Sequence, residues 1–214
     1  MGSGKDTVAE SVVKRLQGGS FHESFASPLR DEVNGVIETI KNSDTRYEAV
    51  INTIMGVGVE YDPIIIQEVV FRLYDDVKNH GLDNVSTRTD STRFALQRWG
   101  TEVRRAVHPD YWVDKIRPVI LDKMRNGFNV YLTDARFPNE LDMVRSLNGL
   151  TIRLNVSDDV QSRRIMKRDH VEVTPEMRSH PSETASDSYE HYDLVINTDD
   201  KSVGEITKII LDKI

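Results

Sequence analysis

Gly2-Ser3-Gly4-Lys5-Asp6-Thr7 runs directly into an amphipathic stretch with Val8, Val12 and Leu16 at i, i+4 and i+8. This is the back half of a phosphate-binding loop that opens a helix. The backbone of such a loop curls until its N–H groups point at anionic oxygens, which requires glycine. Its lysine neutralises charge, and the positive end of the following helix completes the cradle. The full pattern has a buried strand, then a glycine five residues before Gly4, then Gly-Lys-[Ser/Thr]. That first glycine falls ahead of Met1, so the strand and turn that aim the loop are expected upstream of it. The competing reading is a flexible N-terminus.

Further along, strand patterns alternate with helix patterns. Helices are expected over Thr7–Leu16, from Pro28 to about Ile40, from Asp62-Pro63 to His80, and through Phe94, Leu96, Gln97 and Trp99. Further helices follow over Tyr111–Arg125, Pro138–Leu147, Ser157 to about Asp169, and Val203–Lys213. Asp90 and Asp110 read as caps, Gly100 as an interruption, and Ser202 with Glu205 as a capping box. Strands are expected over Ser20–Phe25, Phe128–Thr133, Leu150–Val156 and Leu194–Asn197. Alternation of this kind predicts parallel βαβ units and a three-layer α/β fold in one domain, 1–214. Residues 41–90 read as a helical insertion, with a helix over Tyr47–Met55 and a break at Gly56-Val57-Gly58. On the helix after Asp62, Ile65, Val69, Leu73 and Val77 form the expected apolar face. Polar residues 170–183, with Pro175 and Pro181, read as a loop.

Composition narrows the function classes. The 214 residues, 38% hydrophobic and 29% charged, suit a globular α/β domain with a sizeable core. No run approaches ~18 apolar residues, so no membrane span is expected, and Met1 does not lead into a signal-peptide pattern. The chain has no cysteine, which excludes disulfides, thiolate metal sites and a cysteine nucleophile, and fits a reducing cytoplasm. A net charge of −7 argues against a nucleic-acid polymer as partner. Against that acidic background, Arg98, Arg104 and Arg105 form one basic island and Arg163, Arg164, Lys167 and Arg168 another. Such islands suit a small, highly charged anion; solvated helix faces are the plainer reading. The six histidines show no ligand spacing with one another.

Several blocks occur together in a fixed order: Gly-Ser-Gly-Lys-Asp-Thr (2–7), Phe-Ala-Ser-Pro-Leu-Arg (25–30), Leu-Gln-Arg-Trp-Gly-Thr-Glu-Val-Arg-Arg (96–105), His-Pro-Asp-Tyr-Trp-Val (108–113) and Thr-Asp-Ala-Arg-Phe-Pro-Asn-Glu (133–140). Jointly they resemble the bacteriophage-type deoxynucleoside monophosphate kinases, over nearly the whole chain except 41–90. The resemblance implies a three-layer P-loop kinase fold with a parallel sheet, a helical insertion and a lid over about 163–184. It implies an enzyme that transfers the ATP γ-phosphoryl group to a deoxynucleoside 5′-monophosphate with Mg²⁺, in the cytoplasm (the host's, if phage-encoded). A homodimer is left open. Two departures stand out: the strand and first glycine ahead of Met1, and Arg104 where relatives often have a small residue.

Phosphoryl transfer asks a protein mainly to position phosphates and neutralise charge. Ser3, Gly4, Lys5, Asp6 and Thr7 are the expected ATP-phosphate residues. Asp6, Thr7 and Asp134 are the expected Mg²⁺ shell. Asp134 follows an apolar strand at the end where α/β folds bind ligands, and either holds Mg²⁺ through water or orients Arg136; a turn aspartate is the alternative. Lys5, Asp134, Arg136, Arg164 and Arg168 are the expected catalytic group, with Arg163, Arg164 and Arg168 closing as a lid or paired on a solvent face. By resemblance the acceptor site takes Arg30, Gln97, Gly100, Thr101, Arg105, Trp112, Arg136, Asn139 and Glu140. Local capping is an equal reading for the last two, and core packing is the plainer one for Trp99 and Trp112. Asn197 is placed near adenine by analogy alone. Two alternatives remain: a related kinase of another phosphorylated metabolite such as phosphomevalonate, and a nucleotide-binding module without turnover.

Overall fold

The computed structural model describes residues 3–42, 62–169, 172–174 and 184–214. The side chains of Arg168 and Asp169 lie outside that description. So do the helix expected over Tyr47–Met55, the break at Gly56–Gly58 and most of the 170–183 loop. The chain mixes helices with short strands and forms two compact units, residues 1–24 with 117–214 and residues 25–116.

The first unit carries every described strand. Helix α1 (Lys5–Val13) leads to β1 (Ser20–Glu23), and after α5 (Tyr111–Arg125) come β2 (Asn129–Leu132), α6 (Pro138–Ser146), β3 (Ile152–Asn155), α7 (Asp158–Asp169), β4 (Leu194–Asn197) and α8 (Val203–Leu211). Strand β1 pairs in parallel with β2, Ser20 opposite Asn129 through Glu23 opposite Leu132. Strand β3 pairs in parallel with β4, Ile152 opposite Leu194 through Asn155 opposite Asn197. The expected parallel pairing is present, but as two two-stranded sheets rather than one. Helix α1 is two turns and a half long: Val8 and Val12 are buried, and Leu16 packs against the same core from beyond the helix end. Val8 and Val12 join Ile196 of β4 with Ile206 and Ile210 of α8. That core holds α1, and so sets the direction of its N-terminus.

Two local anchors fix β3, β4 and α8. Ser202 and Glu205 form the expected capping box: Ser202 Oγ accepts Glu205 N at 3.3 Å, and Ser202 N donates to Glu205 Oε2 at 2.8 Å. These bonds hold the Glu205 carboxyl below its ordinary range. At the start of β3, Thr151 donates its hydroxyl (2.7 Å) and its N–H (2.8 Å) to Asp193 Oδ2. Arg145 donates to Asp193 Oδ1 at 2.9 Å, and together these contacts lower the Asp193 carboxyl to about 2.

The second unit is helical: α2 (Ser27–Asn42), α3 (Pro63–His80), α4 (Asp90–Arg98), a π-helix (Trp99–Arg105) and the first turn of α5. Asp62 caps α3 by accepting Ile64 N at 2.9 Å. The buried face of α3 is Ile66, Val69, Val70 and Leu73, turned from the expected stripe, with Ile65 and Val77 only partly buried. The rotation follows from α3 packing on both α2 and α4, which needs a wider face than one neighbour would.

Two expectations are corrected here. Asp90 does not cap α4. Thr89 does, accepting Thr92 N at 3.1 Å, donating its own N–H to Thr92 Oγ1 at 2.9 Å, and donating its hydroxyl to Asp76 Oδ2 at 2.7 Å. A threonine hydroxyl both donates and accepts, so it satisfies more partners than the neighbouring carboxylate. Gly100 does not interrupt the helix either. It sits buried in the π-helix, where its carbonyl accepts Trp112 Nε1 at 3.0 Å. A Cβ at Gly100 would stand 3.0 Å from Leu29 Cδ2, so close packing on α2 explains the glycine.

Candidate functional site

In the first unit, Ser3 and Lys5 line a cavity of about 520 Å³ together with Arg136. Gly4 between them is the N-cap of α1, at φ 81° and ψ 16°. This left-handed conformation costs a side-chain-bearing residue roughly 1–2 kcal/mol and suits glycine. No side chain caps this helix end, and Val8 N bonds Gly4 O at 3.0 Å. The turn therefore delivers Lys5 and the α1 N-terminus to one cavity. Leu132 and Thr133 from the end of β2, and Ile152 through Val156 from β3, form further walls.

The turn after β2 is held by a buried acid. Glu140, 2% exposed, accepts Arg136 N at 2.7 Å and Phe137 N at 3.2 Å on the same oxygen. Asn139 accepts Glu140 N at 3.1 Å. Glu140 and Asn139 thus organise the backbone that carries Arg136. Asp134, one step past Thr133, accepts the Ser24 hydroxyl at 2.5 Å, and Thr133 meets His22 Nε2 at 3.3 Å. These bonds tie the ends of β1 and β2 beside each other.

The cavity carries both signs of charge. Arg153 of β3 lines it but is engaged by Asp187 at 2.7 Å and by the Ser186 carbonyl at 2.8 Å. Asp158 and Gln161 of α7 also line it. Lys5 and Arg136 line the same cavity as Arg153. Asp6 and Thr7 are exposed on the first turn of α1, and with Asp134 and Asn197 they stand outside the lining. Asn197 accepts Asp199 N at 2.9 Å, which shapes the loop after β4. Arg164 forks onto that same loop, giving Nη2 to the Thr198 carbonyl at 3.0 Å and Nη1 to its hydroxyl at 3.2 Å. Arg163 is exposed and reaches the Asp159 carbonyl at 3.4 Å.

The second unit holds Arg30, Gln97, Gly100, Thr101, Arg105 and Trp112. Arg30 is exposed, while Gln97, Thr101 and Arg105 are half-buried. Arg105 donates to the Pro109 carbonyl at 3.3 Å. Trp112 is 2% exposed and belongs to the core, edge-on to Tyr111.

Sequence reasoning missed the acid at the centre of this unit. Glu32 accepts Arg104 Nε at 2.7 Å and Trp99 Nε1 at 2.9 Å on one oxygen, and the Tyr111 hydroxyl on the other. Arg104 also lies over the Trp99 and Tyr111 rings, at 5.5 and 5.0 Å. The signal was readable: Glu32 falls between Leu29, Val33 and Val36 on the apolar side of α2, where an acid needs partners. Arg104, which departs from the resembled pattern, has its role in this network.

Among the described residues, Asp75, Asp76 and His80 on α3 bring ligand-type atoms within 4.8 Å of one another. This grouping, with Asp75 and His80 exposed and Asp76 half-buried, shares no member with Asp6, Thr7 and Asp134. Among those residues, too, no helix is long and apolar enough to cross a membrane. No protein-family model matches the chain, and no curated protein matches it.

Proposed function

We propose that the protein is a phosphotransferase that moves the γ-phosphoryl group of ATP to a deoxynucleoside 5′-monophosphate. The observation that carries this reading is the Gly4 turn, which brings Lys5, Ser3 and the α1 N-terminus into the same cavity as Arg136. Backbone N–H groups at a helix start, a lysine and a forked guanidinium form a donor set suited to a polyphosphate. The alternation of helices with parallel strand pairs fits the three-layer P-loop kinase fold that the sequence blocks resemble.

In the reaction, an acceptor phosphate oxygen attacks Pγ, and the bond from Pγ to the β–γ bridging oxygen breaks. The products are ADP and the deoxynucleoside diphosphate. Lys5 and the α1 N–H groups hold the donor phosphates. Arg136, fixed through its backbone by Glu140, holds charge on the transferred group. Arg164 and Arg168 of α7 are further cations for the charge on the transferred group. Asp6, Thr7 and Asp134 are hard oxygen donors of the kind Mg²⁺ takes, so the residue types fit that ion. When bound, Mg²⁺ neutralises charge on the phosphate oxygens. The assignment of Arg30, Gln97, Gly100, Thr101, Arg105 and Trp112 of the second unit to acceptor recognition is supported by the sequence resemblance alone.

An ADP-release assay with ATP, Mg²⁺ and each common deoxynucleoside monophosphate tests the proposal, with phosphomevalonate as control. Turnover that requires a deoxynucleotide and disappears in Lys5→Ala supports it. Turnover with phosphomevalonate alone moves the assignment to another acceptor. ATP binding without turnover on any acceptor leaves a nucleotide-binding module.

A further inference from the structure

Arg153 of β3 is held by residues of the cavity wall. Its Nη2 donates to Asp187 Oδ1 at 2.7 Å, its Nη1 to the Ser186 carbonyl at 2.8 Å, and its Nε to Asn155 Oδ1 at 2.9 Å. The guanidinium also lies 5.6 Å from the centre of the Tyr192 ring. Asn155, Ser186, Asp187 and Tyr192 line the cavity, as Arg153 does. Asp187 thus sets a carboxylate against the guanidinium within the lining that holds Lys5 and Arg136. Asp187 and Asp193 both pair with an arginine, but differently. Asp193, its side chain 28% exposed, also accepts the hydroxyl and the N–H of Thr151. The Asp187 side chain is 57% exposed, and among the described residues its carboxylate accepts from Arg153 alone. Water solvates so open a pair, which therefore holds weakly.

We propose that Asp187 is an internal stand-in for a ligand phosphate. A polyphosphate entering the cavity displaces the Asp187 carboxylate and takes the Arg153 guanidinium, which makes Arg153 a third cation of the site beside Lys5 and Arg136. A carboxylate bonded through one oxygen is a poorer partner for a guanidinium than a phosphate, which carries more charge and accepts two parallel N–H bonds. Nη2 is the nitrogen that changes partner. The bonds from Nε to Asn155 and from Nη1 to Ser186 hold the guanidinium in place through the exchange. Until the exchange, Asp187 repels an incoming anion and neutralises one cation. A singly charged anion gains too little to displace it, so the pair selects for polyphosphates. The inference rests on the phosphate-binding part of the proposed function and requires no turnover.

Calorimetric titration of the full chain with inorganic tripolyphosphate, free of nucleotide and acceptor, tests it. Asp187→Asn is expected to bind about threefold or more tightly than wild type, and Arg153→Gln about tenfold more weakly. The gain from Asp187→Asn should fall by about half or more in the Arg153→Gln background, because Asp187 acts by holding Arg153. Asp187→Ser and Arg153→Met take their places where either variant fails to fold. Equal binding by Asp187→Asn and wild type overturns the proposal. So does the same gain in both backgrounds, which reduces Asp187 to one more negative charge. In both cases phosphate binding by the cavity stands. Binding by none of the proteins overturns the proposal and the phosphate site together. On the wild type, the Asp187 ¹³C carboxylate resonance is expected to move when tripolyphosphate is added, and a resonance that stays in place under saturating tripolyphosphate overturns the exchange.

Discussion

The carboxylate of Glu140 accepts the backbone N–H of Arg136 at 2.7 Å, from a position only 2% exposed. A buried acid thus grips the backbone of the residue whose side chain lines the cavity. Its second acceptance, from Phe137 N at 3.2 Å, makes it the cap of α6 as well. Structural and functional roles of this turn are therefore coupled through one side chain.

Removing that carboxylate is expected to cost stability and loosen Arg136 together. Glu140→Ala leaves the part-buried N–H groups of Arg136 and Phe137 without this acceptor, a loss of about 1–3 kcal/mol. Glu140→Gln keeps one acceptor oxygen and is expected to lose less. Urea denaturation of both variants, read beside the ADP-release rate, checks this. Equal stability of wild type and Glu140→Ala would show that the cap contributes nothing.

Gly4 permits a conformational test of the loop. A Cβ there meets nothing within 4 Å, so any penalty of Gly4→Ala is backbone strain rather than crowding. That strain is about 1–2 kcal/mol, worth about five- to thirtyfold in ATP affinity if the turn relaxes to avoid it. Gly4→Asn, which tolerates the left-handed region better, is expected to bind ATP more tightly than Gly4→Ala. Calorimetric titration of the two variants with ATP decides the order.

Glu32 is expected to matter for the helical unit. Glu32→Ala removes one acceptor from three donors, Arg104, Trp99 and Tyr111, and should destabilise by about 2 kcal/mol. The measurement is the urea midpoint, with Trp99 fluorescence as a local probe. A shift in fluorescence without a change in midpoint would make the network a matter of local order only.

Asp193 sets an acid limb of stability. Its carboxyl is held at about 2 in the folded protein by Thr151 first and Arg145 second. A lowered carboxyl contributes stability that is fully present above the ordinary carboxylate range, near 3.8, and is lost as pH falls through about 2. Asp193→Asn should therefore melt lower than wild type at neutral pH, with the difference shrinking toward pH 2. Thermal melts across that range check the sign; a difference that grows on acidification contradicts it.

Much of the local structure was legible from residue order. The strand at Leu194–Asn197, the Asp62-Pro63 start and the Ser202–Glu205 cap follow from short-range chemistry, and the folded chain has them where expected. The cap of α4 was misread because Thr89 gains from Asp76, a partner on another helix. Gly100 was misread because a glycine in sequence signals a break, whereas here it marks contact with Leu29 and Trp112.

Of the candidate site, the sequence by itself determined the chemical parts: Gly4 for a left-handed turn, Lys5 at a helix start, and Arg136 after an apolar strand. Tertiary structure alone decided that Lys5 and Arg136 share a cavity and that Asp6, Thr7 and Asp134 stand outside its lining. It also decided that Glu140 faces inward and that the strands pair as two separate two-stranded sheets. The physical reason is range. Caps, turns and periodic faces are decided within a few residues. Which charges meet depends on how α1 packs through Val8 and Val12 onto β4 and α8, nearly two hundred positions later in the chain.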